Sequence, residues 1–205
     1  MIAENKAMHA VQLAFRQTLD AFARPGTVHS VVADDRWGSP EAGMSAPLEG
    51  LVRMFVDQAV DFAVAGGASR TERFVLEETR SRAVSLSDAA FVIVPCADEE
   101  VLSEAVRDAR GGNFVSPEKG ATVLAAVGRL SQEPFEGACG IEVEGPGVKG
   151  TQRFYSDACA WVEARRSRGD EYPCGIEIAL VAEDGSLVAV PRSSSVRVLA
   201  QEGGR

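Results

Sequence analysis

Three basic side chains stand where the chain changes direction. Arg24 lies before a Pro-Gly pair, Lys119 before a glycine, and Arg192 after a proline. Proline and glycine restrict or redirect the backbone, so the backbone position from which each of these side chains extends is fixed. An anion site needs such rigid placement. These residues are therefore candidates for binding a phosphorylated ligand. The alternative is three ordinary surface charges at loop ends.

Arg192 lies within a segment, residues 172–198, whose apolar pattern is that of a β-hairpin followed by a third extended stretch, and it comes directly after the hairpin. Ile176, Ile178 and Leu180 alternate with residues of the opposite face, Asp184-Gly185 provides the turn, and the proline at position 191 ends the return strand. We expect the anchored guanidinium of Arg192 to bind a phosphate or carboxylate in bidentate fashion, on a ligand or on a partner subunit. It could instead pair internally with Glu118 or Glu177.

The chain offers few other groups for catalysis. Its two histidines, His9 and His29, form no recognisable Ser-His-Asp or Cys-His arrangement, and no dinucleotide or P-loop motif is present. The glycine-rich stretch 145–150 favours a tight turn over a phosphate cradle. We predict that the protein uses no cofactor. The sequence identifies no catalytic residue.

The four cysteines are scattered. None has C-x-x-C spacing or a nearby histidine, which argues against a metal site and against a disulfide framework. We therefore expect four separate thiols that act as buried small hydrophobes. These residues are Cys96, Cys139, Cys159 and Cys174.

Length and charge bound the class of protein. With 205 residues, the chain suits one α/β domain over 1–205, with a frayed tail at 201–205. Its formal net charge of −9 argues against general binding to nucleic acid or anionic membranes, although a local cationic pocket remains possible. The longest apolar run, 89–94, is too short to cross a bilayer, and the first twelve residues lack the apolar region of a signal peptide. We expect a cytoplasmic protein.

The apolar periodicity predicts an α/β fold with a mixed, mostly parallel sheet flanked by helices. In the first helix we expect a core-facing stripe of Met8, Val11, Phe15, Leu19 and Phe22. The predicted helices cover 7–23 and 48–59, a segment opened by Ser69 in a capping box, 98–111, and 155–168. The predicted strands cover 27–33, 60–65, 90–94, 121–130, 140–144 and the hairpin.

Four separated stretches carry a recognisable order of residues: FRQTLDAFARPGTV (15–28), SPEKGATVLAAV (116–127), EGPGV (144–148) and YPCGIEIALVAEDGSLVAVPRSSSV (172–196). In this order they resemble the PhnH family. The family patterns are F-R-x-x-[LM]-x-A-[MF]-x-x-P-G-x-[VI], [AS]-P-E-x-G-A-T, [TE]-G-x-G-[IV], and a P-x-G-I-[DE] hairpin that ends in A-[IV]-P-R. Residues 30–110 match only in pattern, and Glu177 stands where an Asp is common.

The resemblance implies a subunit of bacterial carbon–phosphorus lyase. That complex transfers a phosphonate such as methylphosphonate to ribose C1 of ATP and releases adenine, while other subunits supply the nucleosidase-like and radical chemistry. The family fold resembles the large domain of pyridoxal-phosphate-dependent transferases without the cofactor, and its members form homodimers within a multi-subunit core. The resemblance transfers no catalytic residue to this chain.

Two alternatives remain from the residues alone. The chain could be a stand-alone enzyme or binding protein that uses Arg24, Lys119 and Arg192 for a small phosphorylated ligand. It could also be a scaffold without any ligand. We favour the non-autonomous subunit.

Overall fold

The structure, a computed structural model, describes residues 2–31, 34 and 36–199, with side chains from residue 11 onward. The helices in this part of the chain are α1 (Ile2–Ala23), α2 (Ala46–Phe55), α3 (Ser69–Thr79), α4 (Glu99–Asp108) and α5 (Ala160–Ser167). The strands are β1 (His29–Ser30), β2 (Asp61–Val64), β3 (Arg82–Ala83), β4 (Phe91–Val94), β5 (Thr122–Val127), β6 (Leu130–Ser131), β7 (Cys139–Glu144), β8 (Gln152–Ser156), β9 (Glu177–Ala182), β10 (Ser186–Val190) and β11 (Ser195–Val198).

Seven of the described strands form the main sheet, in the order β1-β10-β9-β5-β4-β2-β3. The pairs from β3 to β9 are parallel, whereas β10 is antiparallel to both β9 and β1. The predicted mixed, mostly parallel sheet flanked by helices is therefore confirmed.

The main sheet is buried on both faces, which explains its continuous apolar strands. Along β9, Ile178 and Leu180 face the layer that contains α4 and α5, whereas Ala179 and Val181 face the layer that contains α1 and α2. The predicted hairpin is confirmed, including the left-handed Gly185 (φ 87°) at its turn. Its end, at Val190, brings the chain back beside the start of β9.

A second, antiparallel sheet was not predicted as a unit. The four strands that the structure describes in it have the order β11-β7-β8-β6. In the inner strand β7, Glu142 lies directly opposite Arg197 of β11 and Arg153 of β8, and it accepts hydrogen bonds from both. These bonds, chiefly that of Arg197, lower the pKa of Glu142.

The helix predicted over 155–168 is wrong in its first part. Residues 152–156 form β8, and α5 begins at Ala160. Tyr155, Cys159 and Val162 have helical spacing in the sequence, but Tyr155 pairs with Gly140 in the sheet. Strand pairing has overridden local periodicity.

The predicted core-facing stripe of α1 is wrong at Phe15 and Leu19, whereas Phe22 packs against the core and Val11 is half-buried. Phe15 and Leu19 are 46% and 53% exposed. The buried positions are instead Ala14, Thr18 and Ala21, and the Thr18 hydroxyl donates to the Ala14 carbonyl. Small side chains let the helix approach β10 and α2 closely, and they leave two large apolar side chains facing outward.

Several element ends differ from the predictions. The strand expected over 27–33 is reduced to His29–Ser30, and positions 32 and 33 lie outside the described residues, as does the predicted frayed tail at 201–205. Ser69 does not cap α3, because the cap position is Ala68 and no side chain caps this end. The strand expected over 121–130 is divided into β5 and β6. Helix α2 ends at Phe55 and α4 at Asp108, before the predicted ends at 59 and 111.

The prediction of four separate buried thiols is contradicted at two positions. Cys139 at the start of β7 and Cys159 before α5 form a disulfide, with their Cα atoms 6.4 Å apart. The β7–β8 pairing brings together residues that are 20 positions apart in sequence, which spacing alone does not reveal. Cys96 and Cys174 are free, and Cys96 is exposed rather than buried.

None of the helices in the described part of the chain has the length and apolar content needed to cross a membrane.

Candidate functional site

The end of β10 lies beside the start of β9, and Arg192 follows there. Its Nε donates to Glu177 Oε1 at 3.3 Å, and its Nη1 donates to the carbonyl oxygen of Pro117. The side chains of Arg192 and Glu177 are 22% and 30% exposed. Of the two internal partners considered, the structure therefore shows Glu177. A role of Arg192 toward a ligand or a partner subunit stays a prediction.

The turn before β5 brings two further candidate residues to the same edge. Glu118 and Lys119 lie in a single 3-10 turn, Pro117–Lys119, and both are exposed. The following Gly120 approaches the backbone of Gly175 so closely that a Cβ atom would collide with its carbonyl oxygen. The backbone angle does not require glycine, since a φ of −57° suits any residue. The requirement for glycine comes from the lack of space for a Cβ atom.

Arg24 belongs to a different contact group. Its guanidinium pairs with Asp20 one turn earlier in α1, and its side chain is 56% exposed. His29 lies near the same carboxylate, with Nδ1 3.8 Å from Asp20 Oδ2. Burial lowers the pKa of His29, and the charge of Arg24 lowers it further. In the described contacts, Arg24 thus joins Asp20 and His29 rather than Arg192.

The turn at 145–147 contacts both the end of α1, next to Arg24, and the loop that follows Arg192. The backbone of Gly147 lies against Ala23 and Pro25 at the end of α1, where a Cβ atom would collide with the Ala23 carbonyl oxygen. A Cβ atom on Gly145 would lie 3.0 Å from the carbonyl oxygen of Ser193. The glycine-rich stretch therefore forms a tight turn between the end of α1 and the loop after Arg192.

An open cavity of about 380 Å³ lies next to this loop. Its polar walls carry Arg165 and Arg166 of α5, Asp170, Arg192 and the serines of residues 193–195. Within the residues that the structure describes, the lining contains neither histidine nor lysine. The three arginines of the lining equip the cavity to bind an anion.

Helix α5 is fixed at both ends to α4, which places Arg165 at the cavity. The carboxylate of Glu99 accepts the N–H groups of Cys159 and Ala160, each at 2.6 Å, where α5 begins. Beyond the other end, Arg168 donates to the carbonyl oxygens of Val106, Arg107 and Ala109. These contacts satisfy carbonyl groups at the end of α4 that have no partner within that helix.

Comparison with known proteins identifies the family. The family model described as "Bacterial phosphonate metabolism protein (PhnH)" matches residues 3–197. The chain belongs to the PhnH family. A curated relative from Stutzerimonas stutzeri, "Putative C-P lyase subunit protein HtxG", is 30% identical over 190 residues, which cover 91% of this chain and 86% of the relative.

The stretches that carry the resemblance to PhnH converge in space. The 116–127 stretch contacts the hairpin stretch through Pro117 and Arg192, and the 144–148 turn contacts both the hairpin stretch and the end of the 15–28 stretch. All four lie inside the span that the PhnH model matches. Motifs far apart in sequence therefore build one edge of the molecule, beside the cavity.

Sequence reasoning missed two residues at this PhnH edge. Arg165 lies near the end of the helix predicted over 155–168, and neither Arg165 nor Ser194 is among the candidates that the sequence patterns indicate. A signal for Arg165 was available, because it follows the fully buried Trp161 by four positions and so shares its face of α5. No comparable signal distinguishes Ser194 from its neighbouring serines.

Proposed function

We propose that the chain is a non-autonomous subunit of a carbon–phosphorus lyase complex in phosphonate catabolism. The reaction proposed for the complex joins an oxygen of a phosphonate, such as methylphosphonate, to ribose C1 of ATP. The bond from C1 to adenine breaks, adenine leaves, and ribose 1-phosphonate 5-triphosphate is formed. Because ATP is a substrate, we expect the protein to work in the cytoplasm.

The observation that carries this proposal is the convergence of the four family-like stretches on one edge. Arg192 connects two of them by its bond to Pro117, and Gly145 and Gly147 bring in the other two by close backbone approach. Family patterns that meet in space at exposed charged groups suit a surface that binds a ligand or a partner subunit. Arg24, Glu118, Lys119, Glu177 and Arg192 remain our candidates for that anion or interface role.

Exposed apolar side chains support a partner surface near the same edge. Phe114 and Val115, just before the 117–119 turn, are 68% and 93% exposed, and Tyr172 at the cavity is 75% exposed. Neighbouring exposed apolar groups are typical of protein–protein contacts. We propose that other subunits of the complex bind here.

We also propose that the isolated chain forms a homodimer. Phe15 and Leu19 lie four positions apart on α1, so they share a face, and both are largely exposed. A second copy of the chain that covers this face would remove both side chains from water. A homodimer could thus bury α1 and leave the edge described above for other subunits.

The proposed kinship with the large domain of pyridoxal-phosphate-dependent transferases concerns the fold alone. Lys119 and Lys149 are both exposed in turns, where an amine is solvated and a poor Schiff-base nucleophile. We therefore expect the protein to act without this cofactor.

The cavity also supports a second candidate function. A stand-alone enzyme or binding protein for a small phosphorylated ligand would also place arginines around an open pocket of this size. The two proposals differ in whether activity on phosphonates needs other proteins. The chain alone converting a phosphonate and ATP would support the stand-alone enzyme.

Growth on a phosphonate tests the proposed function. A strain that lacks the gene should grow normally with phosphate but fail with methylphosphonate as the sole phosphorus source, and the wild-type gene should restore growth. Arg192→Lys keeps the charge but loses the planar fork, so we expect weaker restoration than with Arg82→Lys, a matched change at a 78% exposed arginine. Normal growth of the deletion strain on methylphosphonate would overturn the proposal.

A further inference from the structure

Arg165 is a mostly buried cation whose hydrogen bonds, among the described residues, all go to neutral groups. Nη1 donates to the carbonyl oxygen of Val190 at 3.3 Å, and Nη2 donates to those of Pro191 and Ser194 at 2.7 and 3.2 Å. These contacts use three of the five N–H donors of a guanidinium. Burial lowers the pKa of Arg165 to about 10, so the group stays protonated at neutral pH.

The two carboxylates whose charges act on Arg165 already accept hydrogen bonds from other arginines. Asp170 accepts a hydrogen bond from Arg168 at 2.6 Å, and Glu177 accepts one from Arg192 at 3.3 Å. Three guanidinium groups thus face two carboxylates, which leaves one positive charge uncompensated. A buried positive charge without a counter-ion is unfavourable, and an anionic ligand would relieve it.

Ser194 provides a second, independent observation in the same cavity. The residue is only 6% exposed, and its Oγ is buried without a hydrogen-bond partner among the described residues. Its backbone is fixed on both sides, since its N–H donates to Pro191 and its carbonyl accepts from Arg165. A buried hydroxyl left without a partner in a rigid loop is unusual, and because Ser194 lines the cavity, this hydroxyl is available to donate a hydrogen bond to a ligand there.

We propose that this cavity binds a tetrahedral phosphorus oxyanion, phosphate or phosphonate, through the Arg165 guanidinium and the Ser194 hydroxyl, with Arg166 and Arg192 at its walls. The remaining donors of Arg165 suit an anion with several acceptor oxygens. The cavity, of about 380 Å³, has room for such an ion as part of a larger ligand. The site rests on these contacts, whereas the choice of phosphorus over carboxylate rests on the proposed function.

Titration of the purified chain tests the site directly. Inorganic phosphate, methylphosphonate and ATP are added separately, and binding is measured by calorimetry and by the change in melting temperature. We expect saturable binding of at least one of the three. Tight binding of phosphate or methylphosphonate would identify a free small oxyanion as the ligand, and binding of ATP alone would identify a phosphoryl group of the nucleotide.

Two serine variants separate binding from folding. Ser194→Ala removes a hydroxyl that makes no hydrogen bond, so the ligand-free melting temperature should not fall, yet affinity should fall by roughly tenfold through loss of a charge-assisted bond. Ser45→Ala is the matched control, because Ser45 Oγ is likewise buried and unpartnered but lies at the start of α2. We expect this control to bind as the wild type does.

Arg165→Lys adds a charge-retaining variant, which should bind less tightly because the planar fork is lost. If this variant does not fold, the comparison of Ser194→Ala with the wild type still tests the proposed anion site. No saturable binding of any of the three anions, or equal binding by wild type and Ser194→Ala, would overturn the site. Growth on methylphosphonate despite such a result would overturn the site and leave the proposed function standing.

Discussion

Replacing Arg192 by alanine tests whether the edge beside the cavity is held together by this side chain. The change removes the hydrogen bond to Glu177 at 3.3 Å and the one to the Pro117 carbonyl. A fully buried group left without its partner costs about 1–3 kcal/mol. Because the Glu177 side chain is 30% exposed, water replaces part of the loss. We therefore expect the free energy of unfolding to fall by about 1–2 kcal/mol for the two contacts together.

For a chain of this length, that loss corresponds to a fall in melting temperature of roughly 2–8 °C. Urea unfolding followed by the fluorescence of the buried Trp161 measures the free energy. Arg82→Ala is the matched control, because Arg82 also pairs with a carboxylate, at 3.2 Å, but is 78% exposed. We expect a loss below ~0.5 kcal/mol for the control.

A loss in Arg192→Ala no larger than in Arg82→Ala would refute this reasoning. If that stable variant also failed to assemble into the complex, the main role of Arg192 would be toward a ligand or partner subunit.

The remaining predictions concern pH, association and the cofactor. The pKa of Glu142 is lowered in the folded protein, so its contribution to stability should be present above its ordinary pKa of 4.5 and disappear as the pH falls through the lower, folded value. Glu142→Gln should therefore be less stable than the wild type in urea at pH 7, with a difference that shrinks in acid; a pH-independent difference would contradict this. Light scattering at micromolar concentration should give the mass of a dimer for the wild type and of a monomer for Leu19→Glu, whereas a monomeric wild type would exclude the homodimer. Adding pyridoxal phosphate should give no absorbance band of an internal aldimine; a band that borohydride removes, and that is lost in Lys119→Arg, would contradict the expectation that Lys119 forms no Schiff base.

Elements bounded by strong local signals could be predicted from the sequence. The β9–β10 hairpin alternates with period two, has a glycine at its turn and ends at a proline, and each signal is local. The predicted start of α4 is confirmed for the same reason, since the side chain of Asp98 accepts the N–H groups of Glu100 and Val101. The parallel pairing follows from the alternation of helices with short apolar strands.

The second sheet could not be predicted, because its strands are specified by distant partners. Strand β8 carries residues at helical spacing, and only its pairing with β7 fixes it as extended. The face of α1 shows the same effect. Phe15 and Leu19 satisfy a helical stripe, but close packing on the sheet selects the small residues Ala14 and Ala21 for burial.

The candidate site could be predicted in part. Arg192 could be identified because a predicted strand and a proline come directly before it. Glu118 and Lys119 could be identified because they lie between a proline and a glycine in a predicted turn. The uncompensated charge of Arg165 could not be predicted, because it depends on which arginines bind Asp170 and Glu177 after folding. Local sequence gives the position of a side chain in its element, whereas its unused hydrogen-bonding capacity depends on the whole fold.

Purification of the chain from its native cells tests the central claim most directly. An affinity tag is placed on the chromosomal copy, cells grow with methylphosphonate as the phosphorus source, and the eluted proteins are identified by mass spectrometry. The account predicts that other carbon–phosphorus lyase subunits co-elute in fixed ratio with the tagged chain. Elution of the tagged chain without them, from cells that are consuming the phosphonate, would contradict it.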